Sequence, residues 1–195
     1  EKSVASVTDT IKSYLSKLTS QRNLVLSHNE KGQVIIYKPS LTSPVAFFNS
    51  SNTIQMKLDT AGQGVHSDIS VVRQPSEENE GVSTADTIKN PLIPVFRPTT
   101  KILSSGEDTD VSNAADNLRS AELKSIAISI SLDRAVNIIP GSIVEVENPE
   151  IFIFKRTNFM VISSTITGEP NAEKTSFKLV VPQAFISGEP TLIVD

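Results

Sequence analysis

Residues 126–185 read IAISISLDRAVNIIPGSIVEVENPEIFIFKRTNFMVISSTITGEPNAEKTSFKLVVPQAF, and this stretch decides the fold class. Ile126, Ile128, Ile130 and Leu132 alternate with Ala127, Ser129 and Ser131. A period of two is the mark of a strand with one face buried. Pro140-Gly141 turns the chain into SIVEVE at 142–147, and Asn148-Pro149 turns it again into Ile151–Phe154. Strands over 158–167 and 175–181 follow, joined by Gly168-Glu169-Pro170-Asn171. Strands separated by short turns predict an antiparallel barrel or sandwich.

Upstream of this stretch the text changes character. Residues 108–124 (DTDVSNAADNLRSAELK) predict a helix, with acids at its start and Lys124 at its end, as the helix dipole favours. Ala114, Leu118 and Ala121, with Ala115 and Glu122 beside them, form a small-residue stripe suited to close packing on a sheet. Residues 93–103 (IPVFRPTTKIL) predict a Pro-broken strand at a sheet edge. Residues 75–92 are polar, acidic and rich in turn formers, and predict an exposed loop. Residues 53–60 (TIQMKLDT) and 67–74 (SDISVVRQ) predict two strands around Gly62 and Gly64, expected to pair as a hairpin.

Nearer the start, Val7, Ile11, Tyr14, Leu15 and Leu18 give residues 6–20 helical spacing, with Ser6 and Asp9 as a capping box. A hairpin is expected from 23–28 and 33–38 around Asn29–Gly32, with a further run at Val45–Phe48. The expected fold is therefore mainly β with some α (α+β): a small helix-plus-hairpin α/β module at 1–50, then an antiparallel β-barrel at 51–195. The barrel domain would carry the polar loop at 75–92 and the inserted helix at about 108–124. No internal repeat of fixed period is found. The chain starts at Glu1 and not at Met, so a fragment or processed product is expected.

Composition removes several function classes. The net charge of −4 comes without any basic block, which argues against nucleic-acid binding through a charged face and against anionic membrane surfaces. The absence of cysteine excludes disulfides, thiolate catalysis and Cys-bound zinc. No apolar run is long enough to cross a bilayer. Aromatic residues make up 5% of the chain and Trp is absent, while Ser, Thr, Ile and Val are plentiful, which suits sheet better than helical bundle.

Candidate chemistry is sparse. His28 and His66 are the two histidines, and neither has a spaced carboxylate beside it in the sequence, so both are read as surface or structural. Glu77, Glu78 and Glu80 match no calcium-loop spacing and are read as a solvated loop. Glu107, Asp108 and Asp110 could be the paired acids of a cell-wall hydrolase, but they open a helix, where acids are favoured anyway. Gly62-Gln63-Gly64 lacks the third glycine of a dinucleotide loop. Asn49-Ser50-Ser51 fits a glycosylation acceptor, a pattern that chance produces often. Arg97-Pro98 and Asp133-Arg134 put charge into apolar text; a buried or inter-subunit ion pair and an exposed edge both remain open. No catalytic, metal or cofactor-binding residue is expected, and the chain is read as a non-enzyme.

The order of these elements carries a resemblance. Phe96-Arg97-Pro98 is followed by a polar stretch, an Ala-rich helix with Arg119 and Glu122, and a strand ending in Arg134. Pro140-Gly141 then introduces SIVEVE, Asn148-Pro149 follows, and Phe159–Ile162 leads to Phe177–Val181 and Pro182-Gln183-Ala184-Phe185. This order is similar to the C-terminal half of Mu-type baseplate hub proteins of contractile-tailed phages. Residues 23–38 and 52–74 resemble, more loosely, the small α/β module and strand pair of that family. The chain departs from it at Ala121 and at Leu132-Asp133-Arg134, where the family has Trp residues.

The resemblance implies a homotrimeric ring of barrel domains, related in plan to the spike protein of type VI secretion. Such a ring joins the tail tube to the central spike. It implies that the partners are further copies of this chain, the tube and spike proteins and other baseplate proteins, with no specific nucleic acid and no membrane segment. It places the protein in the virion tail, after synthesis in the host bacterial cytoplasm, with a first barrel upstream of Glu1. Phe96, Arg97, Pro98 and Arg134 are the residues expected near an interface. A tail-associated cell-wall-degrading module and a host-surface-binding β domain are the alternatives.

Overall fold

The computed structural model describes residues 10–21, 24–28, 31–73, 84–103, 111–169 and 172–186. The chain divides into two units, Glu1–Ser40 and Leu41–Asp195. In the first, α1 (Ile11–Gln21) precedes the hairpin of β1 (Val25–His28) and β2 (Val34–Tyr37). Thr10 caps α1, its Oγ1 accepting from the Ser13 N–H at 3.1 Å. The expected capping residues Ser6 and Asp9 lie outside the described residues. The strands pair antiparallel, with Val25 opposite Tyr37 and His28 opposite Val34, as the sequence predicts. Gly32 (φ 73) supplies the left-handed turn residue.

Residues 41–50, expected with the first module, fall in the second unit. They supply β3 (Phe47–Phe48), which adds in parallel to β9 (Ile143–Asn148). The resulting six-stranded sheet runs in the order β3, β9, β10 (Ile153–Glu169), β11 (Ala172–Val180), β8 (Ile126–Leu132) and β4 (Gln55–Thr60). Its register lines up one long apolar face. Phe159 lies opposite Val144, Phe177 opposite Ile130, and Leu179 opposite Ile128. On the far edge Met56 lies opposite Ile130, and Leu58 opposite Ile128. These side chains form one buried cluster, in which the Phe48 and Phe177 rings meet at 5.7 Å. The two strands expected at 151–154 and 158–167 are one, β10, irregular against β9 between Ile153 and Thr157.

The sheet is curled into a half-barrel and is not the closed antiparallel barrel that the sequence reading expects. Laid flat, six strands would hold their edges roughly 24 Å apart. Here β3 and β4 are opposite edges, yet consecutive in the chain and joined by residues 49–54 alone. That link is itself folded: Asn49 Oδ1 accepts from the Ser51 and Asn52 N–H groups, and Asn52 Nδ2 donates to the Phe47 carbonyl. So short a link forces the sheet to curl. Asn148 Nδ2 lies 3.6 Å from Met56 Sδ across the opening, but β3 and β4 form no ladder, and β3 is parallel to its neighbour.

A second sheet has three strands, in the order β6 (Thr84–Lys89), β5 (Asp68–Arg73), β7 (Pro98–Leu103). The hairpin expected between 53–60 and 67–74 does not form, because β4 and β5 serve different cores. Met56 and Leu58 pack on the large cluster, whereas Val71 packs with Leu103 under α2 (Val111–Leu123). The loop expected at 75–92 contains β6, whose TADTIK text has a single large apolar residue and so carries no strand period; residues 74–83 lie outside the described residues. β7 is an edge strand, as expected. Ala114 and Ala115 of the small-residue stripe are buried against this sheet, while Ala121 is exposed. Leu123, at the end of α2, enters the large cluster, so one helix belongs to both cores.

Candidate functional site

Residues 90–97 connect β6 to β7 and arch over the entry to β5 as an apolar finger. Ser67, just before β5, pinches both ends of the arch. Its carbonyl accepts from the Asn90 N–H at 2.8 Å, its N–H donates to the Arg97 carbonyl at 3.0 Å, and its Oγ accepts from the Arg97 N–H at 2.8 Å. The arch is tightened by the Ile93 N–H donating to the Asn90 carbonyl at 3.1 Å. Leu92 points down and packs against the large core. Val95 and Phe96 point away and are 65% and 78% exposed. Large apolar side chains held out by a fixed backbone resemble an interface anchor more than a loose loop.

Arg97 is exposed and, among the described residues, makes no ion pair within this chain. Its Nη1 donates to the Gly62 carbonyl at 2.8 Å, which ties the finger to the Gly62–Gly64 turn. Pro98 opens β7 and is exposed. Arg134 is exposed too, with its backbone held by Thr175, whose Oγ1 donates to the Arg134 carbonyl at 2.7 Å. The structure does not bring Arg134 to the finger. Gly62 lies next to Ala61, which pairs with Ser125 just before β8, whereas Arg134 follows the last residue of β8. A strand of that length puts roughly 23 Å between its ends.

Beside the finger sits a pair the sequence reading missed. His66 has a carboxylate partner after all, Glu122, which is 56 residues away and on α2. Glu122 Oε2 accepts from the His66 N–H at 2.9 Å, and Oε1 lies 2.7 Å from His66 Nδ1. One carboxylate thus holds both backbone and ring of His66, which fixes the turn that carries Ser67. No local spacing could have signalled it; only the helix Glu of the resemblance marked one partner.

A second polar contact lies under the same helix. Arg119, buried in an otherwise apolar face, donates through Nη2 to Asp116 Oδ1 at 2.6 Å and through Nη1 to the Lys89 carbonyl at 3.4 Å. It therefore joins α2 to the last residue of β6, where the finger begins.

The remaining candidates do not form a site. Glu77, Glu78, Glu80, Glu107, Asp108 and Asp110 lie outside the described residues. His28 ends β1 and is exposed. Asn49 uses its side-chain oxygen in the edge-linking turn. Among the described residues no group of three or more His, Cys, Asp or Glu could hold a metal ion, and no helix is long and apolar enough to cross a membrane. Phe152 and Phe154 are two further exposed aromatic residues that the sequence reading did not single out. Phe152 follows the 3-10 turn Pro149–Ile151 with φ 63, an unusual left-handed conformation for an aromatic residue.

No protein-family model matches the chain, and no curated protein matches it. Solved structures do share its fold. The 43 kDa tail protein of prophage MuSo2 from Shewanella oneidensis superposes with a TM-score of 0.74 at 14% identity, over 91% of this chain and 56% of that one. The tail protein from Neisseria meningitidis MC58 gives 0.71 at 14% identity, over 94% and 58%. A prophage tail protein from Listeria monocytogenes EGD-e gives 0.56 at 12% identity, over 88% and 52%. The chain thus spans a little over half the length of these three proteins. Its mostly β fold, with a curled half-barrel sheet, is one found in phage tail proteins.

Proposed function

We propose that this chain is a structural part of a phage tail baseplate and works through its surfaces. The observation that carries the reading is the finger: Phe96 is held out in solvent by the bonds of Ser67 and Arg97. Free water gives no reason to fix an exposed aromatic; a partner pocket does. The fold shared with proteins named as tail proteins supplies the setting.

In the finer form of this reading the full-length protein is a homotrimeric hub that joins tail tube to spike, with other baseplate proteins as neighbours, in the virion after synthesis in the host cytoplasm. Phe96, Arg97 and Pro98 lie at the subunit interface, and Arg134, at the far end of β8, serves a separate contact. The chain is not an enzyme in this reading: the His66–Glu122 pair is a structural clamp, since the same carboxylate also holds the His66 backbone.

The test is the mass of the full-length parent by sedimentation, with and without Phe96→Asp. A trimer that Phe96→Asp breaks supports the reading. A parent that stays monomeric at its highest soluble concentration, or robust turnover of peptidoglycan, overturns it.

A further inference from the structure

The 17 residues of β10 outrun its neighbour β9. Their ladder ends at Met160 opposite Ile143, with a last pair of bonds at Val161. Beyond that point, among the described residues, β10 pairs with β11 alone, up to Glu169 opposite Ala172. The register slips between Val161 and Ser163, leaving Ile162 as a bulge at the place where β9 stops. A bulge bends and twists a strand. The β10–β11 pair runs on as an arm: β8 flanks β11 as far as Thr175, opposite Ile166, only Thr167–Glu169 with Ala172–Lys174 is two-stranded, and the β9 side of Ser163–Gly168 is unpaired among the described residues. That open edge is about 20 Å long.

Natural sheets guard their open edges with charge, proline or shortness. The other edges of this unit obey the rule. β4 carries exposed Lys57 and Asp59, and β7 carries Pro98 and Lys101. β6 carries Asp86 and Lys89, and β3 is two residues long with Arg156 over the Phe47 ring at 4.3 Å. The arm itself shows the contrast most sharply. On its β11 side, past the end of β8, it reads Ala172-Glu173-Lys174; on its β10 side Ser163-Ser164-Thr165-Ile166-Thr167-Gly168 has no charge or proline, and the first charge comes at Glu169.

We infer that the open β10 edge of the arm, Ser163–Gly168, is an interaction surface that pairs antiparallel with the same edge of a second copy of this chain. The sequence is self-complementary about Thr165. Thr165 meets its own copy, Ser163 meets Thr167, and Ser164 meets Ile166. Hydroxyl pairs of this kind favour antiparallel partners, and no like charges face each other although each chain carries a net charge of −4. Ile166, 48% exposed, lies opposite Thr175 on the face that continues the core, and pairing covers it. The contact is two-fold and isologous, and it does not depend on the ring reading, since a three-fold ring and a two-fold contact combine in one assembly.

Because the chain has no cysteine, single cysteines report the register directly. Under mild oxidation, or with a short thiol cross-linker, Thr165→Cys is expected to give a covalent dimer. Thr167→Cys alone is expected to give at least tenfold less. A mixture of Ser163→Cys and Thr167→Cys chains is expected to cross-link to each other. Independently, the double variant Ser163→Lys with Thr167→Lys places lysine opposite lysine and should weaken self-association at least tenfold. Its fold is checked by an unchanged circular dichroism spectrum. A wild-type chain that stays monomeric at its highest soluble concentration overturns the inference. So does cross-linking of Thr167→Cys as efficient as that of Thr165→Cys, or association that ignores the lysines.

Discussion

The two sheets of the second unit are held by different physics. The six-stranded sheet buries Ile128, Ile130, Leu132, Val144, Phe159 and Leu179 on one continuous face. The three-stranded sheet has a thin core of Val71, Leu103, Val111, Ala114 and Ala115. What it lacks in apolar volume is made up by polar ties: Arg119 to Asp116 and Lys89, Glu122 to His66, and Ser67 to Asn90 and Arg97. Apolar burial is strong but undirected, whereas hydrogen bonds fix position at about 1 kcal/mol each. The large sheet therefore supplies stability, and the small one supplies aim. The apolar finger hangs from the sheet that is built for aim.

That contrast can be broken at four places. Phe159→Ala, in the large core, should cost about 3–5 kcal/mol and shift the urea midpoint of the whole second unit with little change in slope. A smaller loss than at any position under α2 would sink the division of labour. Asp116→Ala removes the carboxylate to which the buried Arg119 guanidinium donates and should cost about 1.5–3 kcal/mol. Its signature is faster amide exchange in α2 and β6, while β8 and β11 stay protected.

Glu122→Gln keeps one acceptor but loses the carboxylate, and should cost about 0.5–1.5 kcal/mol. Exchange should rise at His66 and Ser67 and along the finger; if it rises throughout the large sheet instead, the clamp is not local. Phe96→Ala touches only exposed surface, so stability should move by less than about 0.5 kcal/mol. Self-association or partner binding of the full-length protein should fall nonetheless. A stability loss of core size at Phe96 would mean that the finger is structural and not an anchor.

Legibility in the sequence follows the same division. The strands of the large sheet could be read because Ile126–Leu132 and Val144–Glu147 alternate, and because Pro140-Gly141 and Asn148-Pro149 punctuate the text between strands. β6 could not be read, because one Ile in TADTIK leaves no period to detect. The β4–β5 hairpin was a fair local inference that failed because each strand's apolar face was claimed by a different core. The finger was legible only as Phe96-Arg97-Pro98, without its pinch at Ser67, and His66 gave no sign of Glu122.

By itself, then, the sequence determined what is local: a mainly β chain, a helix–hairpin lead, the turn positions, and the absence of cysteine chemistry. Period, turn formers and composition act over a few residues, and those are printed in the chain. Tertiary structure alone decided which strands share a sheet, that the half-barrel stays open, and that Ser67 and Glu122 reach across to Arg97 and His66. It also decided that one strand, β10, runs past its neighbour and leaves an edge uncovered. These depend on which apolar faces find room in the same core, a competition among distant segments that no local pattern records.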